Sequence, residues 1–363
     1  MKLRDPILIT VFLIAISLPL SVQLSGIASG TQSHEKRKLA VLPAWPTSFA
    51  ALWKYPGKFT TYYGDNFGLR AKLIHLHALA MYRIFGMSPS DKVLIGRDGW
   101  LYYADDYSLE DYRSLVPFTT AEMAKWRQVL EARQDWLAKR GTKFVVVFAC
   151  DKYVIYPEFL PAAYRRKDTP YRVDELSDYL AKNSKLTIVS LHQPLSAAKQ
   201  DRLYQRTDTH WNDRGAYIGY REIIMAIGQQ PLAYDPVEKT TEGWDLARMM
   251  GLNDIISEED RQLRPHTPRH AAIVDIDRQD PTWNVGRVAL EVKDQNLPKL
   301  VMFRDSFGSA LVPFLAEHFR RSLFLWQYDF DPAVIEREKP DVVIWLMTSR
   351  RLQWFDPVNP PLP

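Results

Sequence analysis

Two short segments of this chain hold the residue types that acyl transfer requires. In Thr207-Asp208-Thr209-His210-Trp211-Asn212 a carboxylate and an imidazole stand two positions apart. On an extended backbone that spacing puts both side chains on one side, so Asp208 can fix one ring nitrogen of His210 while the other faces a partner. In Phe303-Arg304-Asp305-Ser306-Phe307-Gly308 a serine follows an apolar run and precedes a helical one. A hydroxyl on such a strand-to-helix turn is exposed, and amides at the start of the helix can stabilise an oxyanion. Each segment also has a purely structural reading, since Asp-Ser is an ordinary N-cap and the other hexapeptide an ordinary capped loop. Together they offer a nucleophile, Ser306, a base, His210, and its orienter, Asp208. A third segment, Cys150-Asp151-Lys152-Tyr153 to Tyr156-Pro157, follows another apolar run, and Lys152 and Tyr156 could line the same cleft. Cys150 has no adjacent histidine and an acidic neighbour, which reads as a small buried residue rather than a nucleophile.

The elements that must position these groups alternate. A capping box, Thr119 with Glu122, opens a helix over 119–140 that Gly141 closes. Lys143–Ala149 is a valine-rich run of the kind buried on both faces of a sheet. A helix at Val173–Lys182, a strand at Leu186–Leu191 and a helix at Gly215–Ile227 follow. Beyond a Pro-rich, charged stretch over 231–298 come strands at Leu300–Phe303, Leu323–Trp326 and Val342–Met347, with a helix near 308–319. This pattern predicts a doubly wound α/β domain whose mostly parallel sheet has about five strands, with ligands at the strands' carboxyl ends. Upstream, Trp45–Phe67 reads as irregular, Leu69–Phe85 as a helix with Leu73, Leu76, Ala80 and Ile84 on one stripe, and Val93–Tyr103 as a hairpin. His75 and His77 diverge on that helix and do not form a metal pair.

With 363 residues, 46% hydrophobic and 25% charged, and a net charge of +4, the chain is neither disordered nor a nucleic-acid binder built on bulk positive charge. Its single cysteine excludes an intrachain disulfide and a Cys-built zinc or iron–sulfur site. The inferred chemistry needs no metal and no cofactor, because the imidazole moves the proton and backbone dipoles hold the oxyanion. At the amino terminus, Lys2 and Arg4 precede an apolar run from Ile7 to Leu24. Its length of about 18 residues lies between a signal-peptide core and a membrane-spanning helix. Residues 1–30 therefore read as a signal anchor or a signal peptide, either of which exports the rest, and 31–44 as a polar tether.

Over about Trp45–Arg350 the chain resembles the alginate O-acetyltransferase proteins of the AlgX and AlgJ type. The resemblance rests on Tyr63-Gly64-Asp65-Asn66-Phe67-Gly68-Leu69-Arg70, Ile95-Gly96-Arg97-Asp98-Gly99-Trp100-Leu101-Tyr102, Lys152 with Tyr156-Pro157-Glu158, Asp208-Thr209-His210-Trp211-Asn212, and Arg304-Asp305-Ser306-Phe307, in that order. It implies an SGNH-hydrolase-like three-layer domain over 45–350, with an insertion at 231–298, strands in permuted order relative to ordinary SGNH esterases, and a carboxy-terminal tail at 351–363. It also implies a Ser306–His210–Asp208 triad that moves acetyl groups onto hydroxyls of an exported polysaccharide. Lys152, Tyr156, Trp211 and Arg304 are the flanking candidates for substrate contact. A membrane-bound O-acyltransferase would supply the acetyl group. The chain would sit at the periplasmic face of the inner membrane, or free in the periplasm if the signal is cleaved. Trp244-Asp245-Leu246-Ala247-Arg248 lies where the family often carries Gly-Asp-Leu, with no role assigned. Two other readings stay open: a carbohydrate O-acetylesterase using the same triad with water, and a non-catalytic polysaccharide-binding assembly protein. The second is motivated by the 12% aromatic content, with Trp211 and Tyr156 as the sugar contacts.

Overall fold

The computed structural model describes residues 4–25, 38–164, 166, 169–280 and 283–362. The expected end of the signal segment at 26–30 and the first half of the tether, 31–37, lie outside the described residues. The chain divides into two compact units, residues 1–89 with 250–252, and residues 90–249 with 253–363.

In the first unit, α1 (Arg4–Ser25) contains one helical stretch, Asp5–Gln23, long and apolar enough to cross a membrane. The segment expected to be irregular is instead a helix, α2 (Phe49–Asn66). Ser48 caps it by accepting the Ala51 N–H at 3.2 Å. It runs through Pro56, where one helical hydrogen bond is forfeited. Four rings spaced four residues apart compensate: Tyr55, Phe59 and Tyr63 stack in succession and Phe67 tilts against Tyr63, with centroids 6.1–6.3 Å apart. The Pro and Gly residues concealed that periodicity. α3 (Arg70–Arg83) is the expected helix, but its Leu73 and Leu76 are exposed.

The second unit opens with the expected hairpin, β1 (Val93–Ile95) against β2 (Leu101–Tyr103), followed by a short α4 (Ser108–Tyr112). α5 (Thr120–Ala138) carries the complete capping box at Thr119 and Glu122, and Gly141 leaves it at φ +71°, a conformation open to glycine. β3 (Lys143–Ala149), α6 (Lys152–Ile155), α7 (Arg172–Asn183), β4 (Thr187–Ser190), α8 (His192–Ala197) and α9 (Asp213–Ala226) continue the alternation. The stretch at 231–298 is more ordered than its composition suggests. It folds into β5 (Tyr234–Glu242), α10 (Asp245–Met249), β6 (Ser257–Pro265), β7 (Ala272–Ile276) and β8 (Arg287–Glu291). β9 (Lys299–Arg304), α11 (Val312–Leu315), β10 (Arg321–Trp326), α12 (Pro332–Glu338) and β11 (Val342–Thr348) complete the chain. The helix expected over 308–319 is broken into 3-10 turns around α11.

The main sheet has seven strands in the order β4-β3-β11-β9-β10-β8-β7, which corrects the expected five. The five foreseen strands are its parallel part, with Val146 opposite Trp345 and Trp345 opposite Phe303. β8 and β7 add to β10 antiparallel, so the sheet is mixed. They were hidden because an edge pair needs only one apolar face: β7 is mostly exposed while Val288, Ala289 and Leu290 of β8 are buried. β5 and β6 pair separately over nine residues each. The segment after 350, expected as a tail, makes contacts with α5. Arg133 of α5 donates to Asn359 Oδ1 at 2.8 Å and to the Val358 carbonyl at 2.9 Å.

Candidate active site

β9 ends at Arg304, and Asp305 caps the 3-10 turn that begins at Ser306. One oxygen of Asp305 accepts the Phe307 N–H at 2.9 Å. The other accepts the Thr348 N–H at 2.8 Å and its hydroxyl at 2.6 Å, which pins the serine turn to the end of β11. Ser306 itself is half-buried, and its hydroxyl makes no hydrogen bond among the described residues. Its N–H, first in the turn, has no acceptor within that turn.

Asp208 and His210 stand in a turn closed by the bridge between Tyr204 and Trp211, and not on an extended strand end as expected. Asp208 Oδ1 accepts both the His210 N–H at 2.8 Å and Nδ1–H at 2.6 Å. The carboxylate can only accept, so the proton is on Nδ1 and the neutral ring offers its lone pair at Nε2. That nitrogen is buried and has no hydrogen-bond partner among the described residues. The serine turn meets this loop one residue beyond the hydroxyl. The Phe307 ring centroid is 5.1 Å from that of His210, and the Phe307 carbonyl accepts the Trp211 indole N–H at 3.2 Å. Burial on its own would lower the His210 pKa, but the charge and hydrogen bond of Asp208 outweigh it and the net direction is upward.

Three groups hold the loop, Lys152 and Glu258 buried and Asp245 partly buried. Lys152 donates to the carbonyls of Gln205 at 3.0 Å, Arg206 at 3.0 Å and Asp208 at 2.6 Å. Glu258 on β6 accepts the N–H groups of Arg206 at 2.7 Å and Thr207 at 3.0 Å and the Thr207 hydroxyl. Asp245, opening α10, accepts the Thr209 N–H at 2.8 Å. Asn212 caps α9 with its side-chain oxygen, and Gly215 lets that helix approach so closely that an added Cβ would lie 2.3 Å from the Leu203 carbonyl oxygen.

The four flanking candidates for substrate contact have their polar groups engaged mainly within the fold. Lys152 has its three protons on backbone carbonyls, and burial pushes its pKa down to about 8 against the pull of Glu258, Asp208 and Asp245. Tyr156 donates to the Lys199 carbonyl at 2.7 Å and accepts the Leu203 N–H at 2.8 Å. Trp211 packs edge-on against Phe307. Arg304 is fully buried and donates to Asp305, Ser309, Trp283 and Val285. Among the described residues, Lys152, Tyr156 and Trp211 have their donors on backbone carbonyls, while Arg304 keeps a buried Nε without a partner. Cys150 is buried, and burial raises its thiol well above the ordinary range.

Asp245, Glu258 and Arg350 went unread in the sequence as site residues. Arg350, just past β11, is buried, bonds to Asp151 and lies 5.7 Å from the Phe307 ring centroid. The strand-end rule that led to Ser306 points equally to it. Asp208, His210 and Asp245 offer atoms within 4.8 Å of one another. At 2.6 Å, Nδ1 and Oδ1 share a proton and are too close to flank an ion, each metal–ligand bond being about 2 Å.

Lys152→Met keeps the side-chain length and removes the ammonium from three carbonyls. We expect a stability loss of about 3 kcal/mol in urea unfolding. An unchanged stability with a raised KM would instead return Lys152 to the substrate.

The mixed α/β sheet, with a serine turn after one strand and an Asp–His turn against it, defines an SGNH-hydrolase-like protein. Residues 93–323, more than half of the chain, match the model of the family described as "SGNH hydrolase-like domain, acetyltransferase AlgX", and the chain belongs to that family. The chain is 28% identical over 203 residues to a protein of Pseudomonas syringae pv. tomato named "Probable alginate O-acetylase AlgJ", covering 54% of this chain and 49% of that protein. The namesake from Pseudomonas aeruginosa is 29% identical over 217 residues, covering 55% and 51%. The matches thus span about half the length of these relatives. Among solved structures, Bacillus cereus PatB1 with a sulfonyl adduct superposes with a TM-score of 0.51 at 16% identity, over 72% of this chain and 97% of that one. That likeness concerns the fold alone.

Proposed function

We propose that the protein is a polysaccharide O-acetyltransferase that works through an acetyl-enzyme at Ser306. The observation that carries this reading is the 2.6 Å Asp208–His210 hydrogen bond, which leaves a buried, unpartnered Nε2 in the loop against the serine turn. Ser306 Oγ attacks the acetyl carbonyl and its proton passes to His210 Nε2. The tetrahedral oxyanion is held by backbone N–H groups, that of Ser306 among them. When the intermediate collapses, the bond to the donor breaks and the leaving group takes the proton from Nε2. A sugar hydroxyl then attacks the ester, giving its proton to Nε2. Ser306 leaves, recovers that proton and is free for another cycle. Asp208 holds the imidazole in the required tautomer and faces the imidazolium that forms twice per cycle.

The apolar helix α1 supports an anchored position at the periplasmic face of the inner membrane, or secretion to the periplasm after cleavage. A membrane-bound O-acyltransferase is the proposed acetyl supplier, and the relatives' names make alginate the first acceptor to test. The measurement is acetyl partition: with a chromogenic acetyl ester as donor, acetyl should move onto alginate hydroxyls in preference to water. Acetate as the only product, however much polysaccharide is present, would make the protein an esterase. Polysaccharide binding with no turnover of any acetyl ester would make it an assembly protein.

A further inference from the structure

A second carboxylate stands beside the Asp208–His210 pair. Asp245 Oδ2 is 4.0 Å from His210 Nδ1, the same nitrogen that Asp208 holds. Its other oxygen accepts the Thr209 N–H at 2.8 Å, and its own N–H reaches Asp208 Oδ2 at 3.3 Å. The first turn of α10 thus ties Asp245 to both residues that flank Thr209. We infer that Asp245 is a positioning residue whose negative charge, acting across 4.0 Å on the His210 ring, raises the basicity of the catalytic imidazole and stabilises its protonated form. This inference rests on the reading of His210 as the base.

The charged groups around His210 come from its own turn and from four other elements. Asp208 lies in its own turn and Asp245 opens α10, and both favour the imidazolium. Arg350, following β11, opposes it. Lys152 of α6 is turned to the carbonyls of the loop, and Glu258 of β6 to its N–H groups. Among the described residues no other cation bonds to either carboxylate, and the imidazolium is the charge they share. Two carboxylates in one buried site repel, and burial together with the Asp208 charge pushes Asp245 up to about 6. Protonating His210 relieves that repulsion, so the transition state that creates the imidazolium gains from the second negative charge.

Asp245→Asn separates charge from structure, because the amide oxygen can still accept the Thr209 N–H. Turnover of a chromogenic acetyl ester is followed against pH in the full chain and in the variant. In the unaltered protein the acid limb of kcat/KM should lie above the usual imidazole value of about 6.5, with activity falling as pH falls through it and protonates Nε2. In Asp245→Asn the limb should move down by about one pH unit and kcat should fall about tenfold, with KM unchanged. An acid limb that stays in place, whatever happens to kcat, overturns the inference. Should the variant not fold, Asp245→Ser carries the same test, since its hydroxyl also accepts the Thr209 N–H without charge. Absence of turnover in the unaltered protein would instead count against the triad reading.

Discussion

Ser306→Ala is expected to cut acetyl transfer and acetyl-ester hydrolysis by about a thousandfold or more, with no loss of stability. The expectation follows from what holds the turn. Its geometry comes from Asp305, which bonds the Phe307 N–H and both polar groups of Thr348, while the Ser306 hydroxyl bonds nothing. Removing that hydroxyl should leave the turn and the melting temperature as they were. What remains after the change is binding and the oxyanion amides, which lower a barrier but cannot form the covalent ester. A stopped assay on the variant, with circular dichroism as the folding control, reads both parts. Activity within tenfold of the unaltered protein would show that another group carries the acetyl.

Asp208→Asn is expected to cost about a thousandfold in kcat while leaving KM within a few-fold. Asp208 Oδ1 accepts two hydrogen bonds from His210, one from its N–H and one from Nδ1. An amide can keep the first through its oxygen, yet it no longer provides a charge for the imidazolium. If its NH2 turns towards the ring, Nδ1 must become the acceptor, the proton moves to Nε2, and no base faces the serine. Asp208 is buried, and although burial raises its pKa, the His210 charge and hydrogen bonds bring the net direction below the ordinary carboxylate range. It is therefore ionised at neutral pH, when its charge is needed. Because Lys152, Glu258 and Asp245 hold the loop through its backbone, the fold should survive the substitution.

The parallel half of the sheet was legible because buried strands advertise themselves as unbroken apolar runs. The runs Lys143–Ala149 and Val342–Met347 are strand over their whole length. The antiparallel edge was not: β7 is an apolar run of only five residues left mostly exposed at the sheet edge, and β5 and β6 are mostly polar. Asp208 and His210 stood out by spacing, although the backbone that joins them is a turn and not a strand. The supports were illegible for a different reason. Glu258 lies 50 residues beyond Asp208 in the sequence, inside a charged stretch, and only the pairing of β5 with β6 brings it beneath the loop. Lys152 and Tyr156 were seen as polar residues near a cleft, but their partners are backbone atoms of residues 199–208, which no side-chain pattern reveals.

Acid quenching during turnover of an acetyl ester, followed by peptide mass spectrometry, addresses the covalent step itself. The account predicts one acetyl group on the peptide that contains Ser306, absent from Ser306→Ala and discharged when an acceptor polysaccharide is added. Acetyl found on another residue, or a protein that turns over with Ser306 never modified, would contradict it.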